Sequence, residues 1–208
     1  DRLQKIVGTE QETYGIIINS GVLFAGTSKA ENCTAIGGGG NGIGTVTING
    51  GVVTAVATTT GTAIGGGIGF TSNGGVGVVN INGGNVYAYN HANRWGIPSS
   101  AIGGAGSSAS SGAQGTVTIN GGNVYAESAL GTAIGGGSSA TNPGGSATVN
   151  IYGGYVVAKS LVNSPGIGGG SSRTNAEASG SGGSATIIIG GEGHNPIVRT
   201  GSIGGGSC

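Results

Sequence analysis

Three beats recur six times along this chain, and the recurrence restricts it to a stacked, repetitive fold. The first beat is an alternating apolar segment closing on Asn-Gly-Gly, as in residues 45–51 (TVTINGG). The second is a short segment such as residues 85–88 (NVYA). The third is Ala-Ile-Gly-Gly-Gly, as in residues 63–67. Self-similarity at a period of roughly 20–50 residues is the signature of a solenoid or array.

Aligned on the residue before Asn-Gly-Gly, the copies give the column Ile18, Ile48, Ile81, Ile119, Ile151, Ile189. Two residues earlier stand Ile16, Val46, Val79, Val117, Val149 and Ile187. Both columns are wholly β-branched, and such side chains fit a pleated surface. Thr47, Asn80, Thr118 and Asn150 lie between them. Apolar–polar alternation of period two predicts a strand with one buried face. The second beat adds a Leu23/Val53/Val86/Val124/Val156 column and an Ala25/Ala55/Ala88/Ala126/Ala158 column. The third adds Ile36, Ile64, Ile102, Ile134, Ile167 and Ile203. The predicted fold is all-β: a single-stranded parallel β-helix, or β-solenoid, of about six coils with three short strands each. No coil buries its own apolar face, but stacked coils share a continuous core.

Residues 1–13 are predicted to be an N-terminal polar cap, because they hold Asp1, Arg2, Lys5, Glu10 and Glu12. The solenoid is predicted over residues 14–208, with coils at 14–43, 44–76, 77–114, 115–146, 147–184 and 185–208. No matching polar cap follows the last IGGG.

Glycine fills 52 of 208 positions. Collagen needs Gly at every third position, which is absent here. Disorder needs low hydrophobicity, which the registered Val and Ile columns contradict. A bundle of Gly-rich polyproline II helices is the rival architecture, and it does not call for alternating Val and Ile. The glycines follow strands, where turning needs positive φ or close backbone approach. Asn19, Asn49, Asn82 and Asn120 share one corner, where stacked amides are expected to bond along the axis. Tyr152 and Gly190 break that ladder.

The net charge is zero and only 7% of residues are charged. Nucleic-acid binding therefore lacks its basic footprint. No apolar run is long enough to span a bilayer. A surface of Thr, Ser, Asn and Gly in place of charge points to an extracellular or cell-surface location. Asn32-Cys33-Thr34 is an N-glycosylation acceptor at Asn32.

Candidate chemistry is sparse. The only Asp is Asp1, and Glu31, Glu127, Glu177 and Glu192 fall at unmatched positions. A β-helix that cleaves polysaccharide works with paired carboxylates, so no enzymatic activity is expected. His91 and His194 lack metal-ligand spacing, and no metal or cofactor is expected. Coil three differs from the rest: NVYAYN is followed by HANRWGIPSS. Tyr87, Tyr89 and Tyr125 point outward, with Arg94 and Trp95 in the adjoining loop. Aromatic faces beside a polar group suit sugar rings, which makes these five residues a candidate carbohydrate-binding patch. Alternatively, Trp95 staples its own loop to the solenoid wall. Outward Thr45, Thr47, Thr116, Thr118, Thr148 and Thr186 resemble the ladders of ice-binding proteins, although Val78, Asn80, Asn150 and Ile188 interrupt them.

Cys33 and Cys208 lie near opposite ends and close to one corner. Five coil steps of about 4.8 Å separate them by roughly 24 Å along the axis. A disulfide within one solenoid is therefore excluded; the two readings left are a head-to-tail contact between molecules that brings the two together and a pair of unrelated free thiols.

The TVTINGG…AIGGG repeats, over about residues 14–207, resemble the Gly-rich tracts of large bacterial secreted and cell-surface proteins, often adhesin-like. The resemblance implies a β-solenoid stalk or surface fibre and brings no catalytic residues. Together these readings predict a non-enzymatic extracellular structural protein, a stalk or filament subunit built by end-to-end stacking. The alternative is a carbohydrate-binding or adhesive module with glycan partners.

Overall fold

The computed structural model describes residues 13–27, 33–92, 97–162, 164–172 and 181–206. Its eighteen strands form three parallel six-stranded sheets. The first sheet stacks β1 (Thr13–Ile18), β4 (Ile43–Ile48), β7 (Gly77–Ile81), β10 (Gly115–Ile119), β13 (Ala147–Ile151) and β16 (Ala185–Ile189). The second stacks β2 (Val22–Gly26), β5 (Val52–Ala57), β8 (Asn85–Asn90), β11 (Asn123–Ser128), β14 (Tyr155–Ser160) and β17 (Ile197–Thr200). The third stacks the two-residue strands β3 (Ile36–Gly37), β6 (Ile64–Gly65), β9 (Ile102–Gly103), β12 (Ile134–Gly135), β15 (Ile167–Gly168) and β18 (Ile203–Gly204). This is the parallel β-helix of six coils and three strands per coil. β1 begins at Thr13 and β4 at Ile43. Residues 1–12, which hold the expected cap, lie outside the described residues.

Every pairing is in register, so equivalent residues stack directly. Val46 pairs with Val79, Val79 with Val117, and Val117 with Val149. The inward columns of the four central coils are fully buried, whereas Thr47, Asn80, Thr118 and Asn150 are half-exposed. Each buried Val or Ile contributes roughly 1.5–3 kcal/mol over its exposed state. The second sheet continues inward with a column not read from the alternation: Ala57, Asn90, Ser128 and Ser160. Asn90 is fully buried. Its Nδ2 donates to the carbonyls of Gly61 (3.0 Å) and Ser99 (2.9 Å), and its Oδ1 accepts from the Ala92 N–H (3.0 Å). The buried amide thus recovers the hydrogen bonds it lost from water.

The Asn ladder forms as expected. Asn49 donates to Asn19, Asn82 to Asn49, and Asn120 to Asn82, each at 2.7 Å. At the next step stands Tyr152, whose ring meets His194 at 5.6 Å instead. The corner beside the ladder turns through Gly84 with φ +88°.

Most glycines serve a purpose other than turning. Between the third sheet and the next coil the chain makes a loop whose two ends are hydrogen-bonded to each other: Gly75 to Gly67 (2.6 Å), Ala113 to Ala105 (2.9 Å), Gly145 to Gly137 (2.8 Å), Gly183 to Gly170 (2.8 Å). Each loop start also donates to the preceding loop end, as Ala105 does to Gly75 and Gly137 to Ala113. The result is an unbroken backbone zigzag parallel to the axis, from Gly206 to Gly42, with two residues from each of coils two to five. A Cβ on Gly137 would run into the carbonyl of Ala105, and one on Gly145 into that of Ala113. Coil three carries Ala105 and Ala113 at the equivalent positions, and nothing in the structure explains why a Cβ is accommodated there. Serine hydroxyls tie the loops together. Ser107 donates to the Ser72 carbonyl (2.7 Å), Ser139 to Ser110 (2.7 Å) and Ser172 to Asn142 (3.0 Å). The third-beat face is thus short of side chains, and a further stacked layer of loops continues from it.

Candidate functional site

Along β8 the side chains alternate strictly. Val86, Ala88 and Asn90 point into the core, which leaves Tyr87 and Tyr89 on the outer face. Register carries this face through the coils. One outer column reads Phe24, Thr54, Tyr87, Tyr125, Val157, Arg199. Its neighbour reads Val56, Tyr89, Glu127, Lys159. Tyr155 belongs to a third column, beside Asn123 and Ile197.

The rings and charges of this face touch. Tyr89 lies 5.6 Å from Tyr125 and 5.5 Å from His91, tilted by about 45° in both cases. Such tilted pairs contribute roughly 0.5–1.5 kcal/mol beyond area burial. The exposed imidazole of His91 follows directly on Asn90, whose buried amide anchors the root of the 91–101 loop. The Tyr125 hydroxyl donates to Glu127 Oε2 at 2.7 Å. Lys159 Nζ sits 5.1 Å from the centre of the Tyr125 ring, and the Arg199 guanidinium 5.6 Å from that of Tyr155. Both are cation–π distances. Burial raises the Tyr89 phenol above its ordinary value, and the charges of Tyr125, Glu127 and Tyr87 add to this against Lys159. The Lys159 ammonium is also held above its usual range, first by hydrogen bonding to Tyr125 and then by the charge on that group, with Glu127 and Tyr89 contributing; desolvation opposes them. Lys159 is therefore cationic throughout the physiological range.

Of the residues predicted from sequence, Tyr87, Tyr89 and Tyr125 are brought together as expected. Arg94, Trp95, Asn32 and Cys208 lie outside the described residues. Cys33 is half-buried and its backbone stacks beneath Gly61 of the next coil. Glu127, Lys159, Tyr155 and Arg199 were missed. They occupy the same alternating outward positions, so carrying the register along coil four and on into coils five and six finds them. On the first sheet the outer threonines are interrupted by Val78, Asn80, Asn150 and Ile188, and also by Gly15 and Ile17 in coil one.

Among the described residues no group of three or more His, Cys, Asp or Glu is placed to hold a metal ion. No helix among them is long and apolar enough to cross a membrane.

A second feature lies at the two ends. In the last coil the inward Ile189 is 41% exposed and Ile203 50%; in the first, the inward Leu23 is 37% exposed. Among the described residues β16, β17 and β18 pair on one side only, as do β1, β2 and β3.

No protein-family profile, curated protein or solved structure matches this chain.

Proposed function

We propose that this chain is a non-enzymatic, extracellular structural protein: a segment of a surface stalk or filament in which β-solenoids stack end to end. The supporting observation is the complementarity of the two end edges. The last coil offers Ile187, Ile189 and Val198 in inward columns, and the first offers Ile16, Ile18 and Leu23 in the same columns; in the third-sheet column Ile203 is exposed and Ile36 is already buried. Within the solenoid these residue types already stack on one another, as Ile151 does on Ile189. All pairings between the strands are parallel, so β16 of one copy would meet β1 of the next with unchanged polarity. Unpaired edges of this kind template further strands. A head-to-tail contact of this kind does not close, and it propagates as a fibre. A polar outer surface with few charges suits a rigid spacer outside the cell.

Sedimentation velocity over a range of concentrations, with electron microscopy, tests this. Unbranched filaments are expected, with a diffraction spacing of about 4.8 Å along the fibre axis. Ile189→Lys, at the exposed edge, should leave the fold intact and abolish the filaments. A chain that remains monomeric at every concentration, or an Ile189→Lys variant that polymerises like its parent, overturns the reading.

A further inference from the structure

The outer face of the second sheet holds chemistry that a spacer does not need. Among the described residues the charged side chains are Glu127, Lys159, Glu192 and Arg199, and three of these four stand on this one face. Tyr87, Tyr89, Tyr125 and Tyr155 stand there with them. The matching columns of the first sheet, between its first and last coils, carry only Thr, Asn and Val. Both sheets pack on the same core, so the fold does not demand this asymmetry.

The face has an axial period. Coils follow one another at about 4.8 Å, close to the length of one pyranose unit along a polysaccharide chain. A glycan laid along the axis thus meets successive coils with successive sugars. In coils three and four it would pass Tyr87, Tyr89 and Tyr125; in coils five and six it would reach Lys159 and Arg199. Tyr87 is the most exposed of the four tyrosines, at 38%. Glu127 already accepts from Tyr125 and keeps its charge, which leaves two cations against one carboxylate on this face. Beside Lys159 opens a cleft of about 360 Å³, lined in part by Ser160, Leu161, Val162 and Ser202.

We propose that this face binds an extended acidic polysaccharide, one carrying uronic-acid carboxylates, aligned with the solenoid axis. Sugar rings pack on the exposed tyrosines, and carboxylates pair with Lys159 and Arg199. Holding these cations against tyrosine rings keeps them level with the aromatic surface, where a ligand lying flat can reach them. The face runs along the side of the solenoid, so the proposal does not depend on end-to-end stacking.

Calorimetry on the intact chain tests it with short oligogalacturonates, oligomannuronates and hyaluronan fragments as probes. The comparator is fully methyl-esterified oligogalacturonate, which keeps the backbone and lacks the charge. At least one acidic probe should bind, and its ester should bind about tenfold more weakly, equivalent to about 1.4 kcal/mol. Tyr87→Ala, and separately Lys159→Gln combined with Arg199→Gln, should each weaken binding by about tenfold. Circular dichroism should be unchanged in these variants, because the side chains point outward. The proposal is overturned if none of the three acidic probes binds. Equal affinity for acid and ester overturns it too. So does poly-glutamate binding as tightly with Tyr87→Ala silent, since charge alone would then account for binding.

Discussion

Coil four and coil six carry isoleucine at the same inward positions and hold it in different surroundings. Ile119 and Ile134 of coil four are fully buried. Ile189 and Ile203, in the same columns of coil six, are 41% and 50% exposed. The strands themselves are alike, since Ile189 lies in register over Ile151 just as Ile151 lies over Ile119. The difference is a neighbour on the far side. In this architecture a coil supplies half of the shelter for its own core, and the next coil supplies the rest.

Substitutions can break or sharpen that comparison. The largest effect is expected from Ile119→Asp, which places an unpaired carboxylate in a layer closed above and below. It should abolish cooperative unfolding altogether, as read by thermal circular dichroism; at Ile189 the same change should leave a folded protein. The next largest is truncation. Ile119→Ala should cost about 2–5 kcal/mol by urea denaturation. Ile189→Ala should cost less than about half as much in the monomer, because its side chain leaves little cavity behind. Equal losses at the two positions would mean that coil six is already covered in solution. A smaller effect belongs to the exposed Asn ladder. Asn82 both donates to Asn49 and accepts from Asn120, so Asn82→Ala should cost about 1 kcal/mol. Smallest of all is Thr118→Ser on the outer face of the first sheet, expected to change stability by less than about 0.5 kcal/mol. A large loss there would place that column inside rather than outside.

The sheets and their facing were legible because strand alternation is local: successive Cβ atoms point to opposite faces, so Val117 and Ile119 declare themselves inward and Thr118 outward. The Asn ladder was legible for a similar reason, since identical residues at one corner stack once the coils do. Three of the four tyrosines of the outer face, Tyr87, Tyr89 and Tyr125, followed from the same alternation.

What the sequence by itself determined, then, is the direction of each strand side chain and the columns those side chains build. Which partners meet across coils was decided only by the tertiary structure. Equivalent residues lie between 28 (Ile36 and Ile64) and 42 (Tyr155 and Ile197) positions apart, so no single spacing brings Lys159 to Tyr125 or Arg199 to Tyr155. The glycine zigzag from Gly206 to Gly42 is the strongest case. Its Gly- and Ser-rich segments read like turns or linkers, because backbone atoms carry the interaction and leave no side-chain pattern behind. Only when the coils are stacked does the close approach of carbonyls to Gly137 and Gly145 show why a side chain there has no room.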